Sequence, residues 1–167
     1  MSMCRLRAEM QDGSEVYGET EINRYGVGIR HLNMEPEGIR ALPTAIDAIL
    51  DADLVVIGPG SLYTSIITNL LIPGIADALR STRARKVYVC NTMTEAGETN
   101  QYTACDHLKA MFDHAGQGIC DTIIVNSSLM PDVLLDAYRK EGASQVSYDS
   151  AALRAMGMNV LEADVAS

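Results

Sequence analysis

DLVVIGPGSLYTS, residues 53–65, is the stretch that decides the fold class. Leu54 to Ile57 form a run of branched apolar residues that stops at Gly58-Pro59-Gly60-Ser61. A helical pattern follows, with Tyr63, Thr64 and Ser65 in its first turn. A short apolar run closed off by glycines predicts a fully buried strand, usually of a parallel sheet. Ser61 suits the N-cap of the next helix. A strand that hands a glycine-rich turn to a helix N-terminus presents unpaired backbone N–H groups, and phosphates bind such concavities. The same turn also serves as a tight structural corner, and the residues alone leave both readings open.

Working outward, the N-terminal side reads as a β-hairpin. Asp12-Gly13 separates two extended runs, RLRAEM and EVYGETEI, and Leu6, Ala8 and Met10 alternate with Arg5, Arg7 and Glu9. A chain that opens directly into a hairpin leads us to expect that something precedes it. Ile29 to Leu32 reads as a short strand, and Glu35-Pro36-Glu37-Gly38 as a turn. Pro43 opens a helix whose apolar face is Ile46, Ile49 and Leu50. Beyond the central stretch we expect a helix from about Leu62 to Leu71, a second one begun by Pro73, and a strand over Lys86–Asn91. A helix over Thr103–Ala115 follows, ended by Gly116 and Gly118. Then come a strand over Thr122–Asn126, a helix after Pro131, short strand and helix segments over 145–156, and a last strand over Asn159–Glu162. Such alternation implies right-handed crossovers and a parallel sheet with helices on both faces. The expected class is therefore α/β, a Rossmann-like parallel-sheet sandwich plus an N-terminal hairpin. Residues 1–42 carry the hairpin and a connecting segment, and 43–167 the α/β domain, as one compact unit.

Composition narrows the function classes. With 167 residues, 47% apolar and 21% charged, the chain can bury one ordinary core, and without Trp and with one Phe that core must be aliphatic and Met-rich. A net charge of −9 argues against broad contact with nucleic acid or an anionic membrane. A local anion site survives, because backbone N–H groups need no Lys or Arg. Cys4, Cys90, Cys105 and Cys120 form no C-x-x-C pair and read as reduced, small hydrophobes of a cytoplasmic protein. No apolar stretch reaches membrane-spanning length, and no secretory signal opens the chain.

Three strands end in polar, turn-forming sequence: GPGS after Ile57, NTMTEAGET after Cys90, and NSS after Val125. Ligands of open parallel sheets bind outside the carboxyl ends of the strands. That rim gathers Ser61, Tyr63, Thr64, Ser65, Asn91, Thr92, Thr94, Glu95, Thr99, Asn126 and Ser127. Neutral hydrogen-bonders dominate it, which suits a diphosphate or a sugar better than a reaction needing a strong base. Neither dinucleotide nor P-loop fingerprints occur. His107 and His114 lie seven residues apart on one helix, too far along the axis to share one metal. Asp106 and His107 sit in that helix's first turn, with a ligand role and an N-terminal charge role both open. Tyr138, amid Val133, Leu134 and Ala137, reads on its own as a core or edge tyrosine. No nucleophile–base pair is legible, so no catalytic residue is assigned.

Taken together, DLVVIGPGSLYTSII, KVYVCN, MTEAGET with YTA and DH after it, and DTIIVNSS resemble the bacterial gluconeogenesis factor family. That family is related to the 2-phospho-L-lactate transferase of deazaflavin coenzyme synthesis. The likeness runs from LRAEMQDGSEVYGETEI to RAMGMNVLEAD. It implies a Rossmann-like fold and, on the bacterial branch, UDP-sugar binding that supports cell shape and envelope synthesis during growth on gluconeogenic carbon. On the transferase branch it implies transfer of a phospholactyl group from a nucleoside diphosphate donor, with Mg2+ implied for that alternative only. Carried over onto matching positions, the ligand residues are Gly58, Gly60, Ser61, Tyr63, Thr64, Asn91 and Thr94. Tyr138 aligns with a tyrosine implicated in UDP-sugar binding. Ser65, Thr99, Asp106, His107 and Asn126 remain further candidates. Family members begin with a glycine-rich strand-turn-helix that does not occur in this sequence. The expectation is a partial fold that carries one wall of the site and forms a homo-oligomer.

Overall fold

A computed structural model describes residues 5–36 and 38–166, so the expectation for Cys4 falls outside the described residues. Two sheets share one core. The first is antiparallel: β1 (Arg5–Met10) lies between β2 (Glu15–Tyr17) and β3 (Ile29–Glu35). The hairpin is thus the edge of a three-stranded sheet, because β3 pairs along all of β1, from Arg5 opposite Glu35 to Met10 opposite Ile29.

The second half of the expected hairpin is shorter than EVYGETEI. Gly18, at φ 89°, breaks the strand after Tyr17, and Glu19–Tyr25 forms α1. Glu19 and Glu21 sit in its first turn and Arg24 in its last, matching the helix dipole, while Ile22 is fully buried. A single buried residue in seven gives no helical stripe, so the segment reads as strand in sequence.

From Pro43 on, the alternation expected from sequence is present. The elements are α2 (Pro43–Leu50), β4 (Leu54–Ile57), and α3, a π-helical turn over Leu62–Ile67 continuing through Thr68–Leu70. They continue with α4 (Ile75–Ser81), β5 (Arg85–Val89), α5 (Ala104–Ala115) and β6 (Thr122–Asn126). The last three are α6 (Asp132–Lys140), α7 (Ser150–Ala155) and β7 (Asn159–Ala163). The strands form one parallel sheet in the order β4-β5-β6-β7. The short strand expected near Gln145 is a single bridge from Gln145 to Met93. It staples the segment after α6 to the loop after β5.

The core is aliphatic and sulfur-rich as its composition requires, with Met10, Leu32, Leu62, Ile67, Leu108, Met111, Ile119 and Ile123 fully buried. Residues from both sheets join in one cluster. His114 fastens them: the Leu32 N–H donates to its Nε2 at 3.0 Å, and its Nδ1 faces the Ala110 carbonyl at 2.7 Å. One ring nitrogen accepts and the other donates, which fixes a neutral imidazole.

β4 departs from expectation. It is not a fully buried strand but the outer strand of its sheet, with only Ile57 buried and Leu54 and Val56 more than half exposed. Cover on the two sheet faces is correspondingly uneven. Ile57, Tyr88, Ile123 and Val125 face the core, while Leu54, Val56 and Leu161 stay open. Among the described residues no single helix is long and apolar enough to cross a membrane.

Candidate functional site

The carboxyl ends of β4 and β5 open toward one cavity of about 450 Å3. Gly60 and Ser61 form one wall, Asn91, Thr92 and Met93 the floor, and Tyr138 of α6 the far side. These are residues from three separate segments of the chain, all but Met93 indicated in the sequence, brought into one space. Pro59, Val89, Cys90 and Val165 complete the lining. The Asn91 side-chain oxygen is buried there without a hydrogen-bond partner. A buried acceptor without a partner costs about 1–3 kcal/mol. Tyr138 is 36% exposed at the cavity, so it does not close a core.

Gly58 is fixed by geometry. Its φ is +82°, and a Cβ there would sit 3.1 Å from the Val89 carbonyl oxygen and 3.2 Å from Ile66 Cδ1. Gly60 is freer, since its Cβ would make an ordinary 3.4 Å contact with Ser65 Cβ. What Gly60 contributes is a bare backbone at the cavity wall.

Ser61 occupies the N-cap position of α3, but its side chain does not cap the helix. Its hydroxyl donates to Glu95 Oε1 at 2.9 Å. Three residues on, Glu98 takes over the helix N-terminus: its carboxylate accepts the Tyr63 N–H at 3.2 Å and the Thr64 hydroxyl at 2.7 Å. Glu98 is only 1% exposed, and none of the ion pairs among the described residues involves it. Burial, its largest influence, raises the carboxyl above the usual range, and the Thr64 hydrogen bond pulls the other way. A carboxyl group from inside the protein thus occupies the helix N-terminus where an external anion was expected. The Glu95–Glu98 loop ties the glycine turn down by its hydroxyls and its first free N–H.

This latch explains where the other candidates lie. Tyr63 and Thr64 are buried, and Tyr63 Oη shares a 2.8 Å hydrogen bond with Tyr102 Oη. Burial, helped by Tyr102, holds the Tyr63 phenol well above its ordinary value. Neither residue lines the cavity. Thr94 is buried as well; its N–H donates to the Ser144 carbonyl, and its hydroxyl accepts the Ser144 N–H at 2.9 Å. Thr99, fully buried, accepts the Glu95 N–H at 2.8 Å. Asn126 accepts the Val165 N–H and so positions a residue of the cavity lining. Ser65 faces a different, apolar groove beside β4.

Asp106 acts on its own helix. With Thr103 it forms a capping box: the Thr103 N–H reaches Asp106 Oδ2 at 2.9 Å, and the Asp106 N–H reaches Thr103 Oγ1 at 3.3 Å. His107 is fully buried, its Nδ1 against the Thr103 carbonyl, and burial lowers its pKa. Neither is brought to the cavity. Among the described residues no cluster of His, Cys, Asp or Glu could hold a metal ion. Glu98 and Tyr102 were not singled out from the sequence. The two carboxylates of TEAGET, three residues apart beside a neutral rim, were the available signal.

The comparisons agree with this architecture. The family model described as 2-phospho-L-lactate transferase CofD matches residues 1–166. A gluconeogenesis factor of Bacillus subtilis is 50% identical over 156 residues, covering 93% of this chain and 49% of that protein. A gluconeogenesis factor of Listeria monocytogenes is 40% identical over 162 residues, covering 97% and 49%. A crystal structure of a UPF0052-family protein from Bacillus halodurans superposes with a TM-score of 0.94 at 44% identity, over 96% of this chain and 52% of that one. The chain spans about half the length of the curated relatives it matches. With a family model matched along nearly its whole length and half its residues shared with a curated relative, the chain belongs to the 2-phospho-L-lactate transferase CofD family, alongside the gluconeogenesis factors.

Proposed function

We propose that the cavity between the glycine turn, Asn91 and Tyr138 binds the diphosphate–sugar part of a nucleotide sugar, a UDP-sugar in particular, without turning it over. One observation carries this reading: Gly60, Ser61, Asn91 and Tyr138 line a single space that holds an unpartnered buried acceptor and no basic side chain. A sugar hydroxyl or amide N–H satisfies Asn91 Oδ1, and Tyr138 offers a ring face for the sugar or base. The bare backbone at Gly60 lets a phosphate approach closely. The role that follows is regulatory and cytoplasmic, linking sugar-nucleotide supply to cell shape and envelope synthesis on gluconeogenic carbon. Calorimetric titration with UDP-N-acetylglucosamine tests it. Tyr138→Ala is expected to weaken binding at least tenfold, about 1.4 kcal/mol. Absence of heat at millimolar ligand, or an unchanged Tyr138→Ala, counts against the reading.

The family model favours a second reading, transfer of a phospholactyl-type group from a nucleoside diphosphate donor. That chemistry calls for Mg2+, and the described residues offer no acidic cluster to hold it.

We also infer that the chain self-associates through the outer edge of β4. Among the described residues that strand pairs only with β5, and its own Leu54 and Val56 are exposed. An unpaired, apolar edge is a template for another strand. Light scattering is expected to return the mass of two chains; a monomer at all accessible concentrations rejects the inference.

A further inference from the structure

A larger cavity, of about 680 Å3, lies on the other side of the loop after β5. It has no residue in common with the one just described. Asn23 and Gly26 from the end of α1 form one wall, Asn100 and Gln101 the second, and Arg139 and Ser144 around the end of α6 the third. Its volume falls in the range of small-molecule sites.

Three features distinguish it from a packing gap. The Asn23 side-chain oxygen is buried with no partner. Gln101 has φ +61°, the one non-glycine residue in the left-handed region among those described. Such a backbone costs energy of order 1–3 kcal/mol and tends to be kept where it places a side chain for a ligand. Gly97 lets its loop press against α1, since a Cβ there would lie 2.8 Å from the Asn23 carbonyl oxygen. The Gly97 N–H in turn holds Asn100 Oδ1 at 3.1 Å, which leaves the Asn100 amide hydrogens to donate elsewhere.

The chemistry of this lining is that of side-chain amides. The Gln101 amide offers both donor and acceptor, and the Asn100 amide hydrogens remain to donate. The cation present, Arg139, shares an exposed 2.9 Å pair with Asp136, and the other side chains of the lining are uncharged. A ligand with many hydroxyls and no net charge meets these groups better than an anion does. We propose that this cavity is a second binding site, for a neutral polyhydroxylated molecule such as a free sugar. It stands independently of the nucleotide-sugar site. The two are nevertheless joined by α6, which puts Tyr138 into one cavity and Arg139 into the other. They are also joined by the Thr94–Ser144 and Thr92–Val146 backbone hydrogen bonds between them.

The test is an amide 1H–15N titration of the whole chain with N-acetylglucosamine, and with inorganic phosphate as the anionic comparison. Saturable shifts are expected at Gly97, Asn100, Gln101 and Ser144 with the sugar and not with phosphate, and they persist in Asn91→Ala. Gln101→Gly removes the amide and relieves the left-handed backbone. It is expected to raise the melting temperature by roughly 2 °C while weakening the sugar at least about fivefold. Better stability with poorer binding is a combination that a purely structural Gln101 would not produce. Shifts confined to Gly60, Ser61 and Asn91 place the sugar in the other cavity and overturn the proposal. So does the absence of shifts at about 50 mM sugar, a concentration that would populate even a weak millimolar complex. A Gln101→Gly chain that binds as the parent does overturns it equally.

Discussion

Replacing Glu98 by alanine is expected to destabilise the chain by about 3 kcal/mol, which lowers its melting temperature by roughly 6–12 °C. The Glu98 carboxylate is the partner of two groups, the Tyr63 N–H and the Thr64 hydroxyl, and all three residues are buried. Alanine strands both donors and leaves a void where the carboxylate was. Glu98→Gln keeps the shape and one acceptor oxygen, and its amide can donate to Thr64 Oγ1 if that hydroxyl turns away. Its cost at neutral pH is expected to stay below about 1 kcal/mol.

The pH dependence separates the two substitutions further. Glu98 has its folded pKa raised above the 4.5 of a free glutamate. A raised folded pKa means that the native state binds the proton more tightly. The contribution is complete below about pH 4.5 and is lost as pH rises through the folded value. Glutamine does not ionise, so the stability of Glu98→Gln relative to the parent should improve as pH climbs from 4.5 toward neutrality. His107 and His114 act in the opposite sense. Burial lowers both pKa values, so their contribution is present above 6.5 and is lost as pH falls through the folded values. They titrate in parent and variant alike and cancel in the difference. Melting curves of both proteins between pH 4 and 8 read it out (a span chosen to bracket ordinary Glu and His values). A stability difference that does not change with pH would show that Glu98 is not buried in the way described.

How much of this was legible beforehand depended on the range of the interaction. The alternation of helices and parallel strands was readable because the apolar runs of β4 and β6 are closed by Gly58 and by Asn126-Ser127, and helices have a local start or stop such as Pro43 or Gly116. That Gly60, Ser61 and Asn91 would line one space was readable from the rule that strand carboxyl ends gather at one rim. Tyr138 was not, since nothing local says which way α6 faces, and it rested on resemblance. The exposure of β4 was hidden, because an apolar run looks the same on an outer strand as in the middle of a sheet. Glu98 was hidden for a related reason. A carboxylate in a Gly- and Thr-rich loop reads as solvated, and only the fold brings it under Tyr63 and Thr64. Gln101 gives no sign in sequence of its backbone conformation.

Gly58→Ala is expected to be the most damaging methyl group that can be added to the glycine turn, at about 2–3 kcal/mol. Two costs add. At φ +82° an L side chain is strained wherever it points, which accounts for about 1–2 kcal/mol. The new Cβ also lies 3.1 Å from the Val89 carbonyl oxygen, a backbone atom at the end of β5 that cannot move without disturbing the sheet, and 3.2 Å from Ile66 Cδ1. Gly60→Ala meets neither obstacle, because its Cβ would make only a 3.4 Å contact with Ser65 Cβ, and it should cost less than about 1 kcal/mol. The contrast reverses for ligand. Gly60 lines the cavity and Gly58 does not, so a methyl at Gly60 blocks the approach of a phosphate to the backbone while leaving the fold in place. Thermal melting and UDP-N-acetylglucosamine titration of the two variants therefore give a crossed result, with Gly58→Ala losing stability first and Gly60→Ala losing affinity first. Equal stability losses would mean that the turn is set by flexibility and not by the clash with Val89. A Gly60→Ala chain that binds as well as the parent would mean that the ligand does not lie against this wall of the cavity.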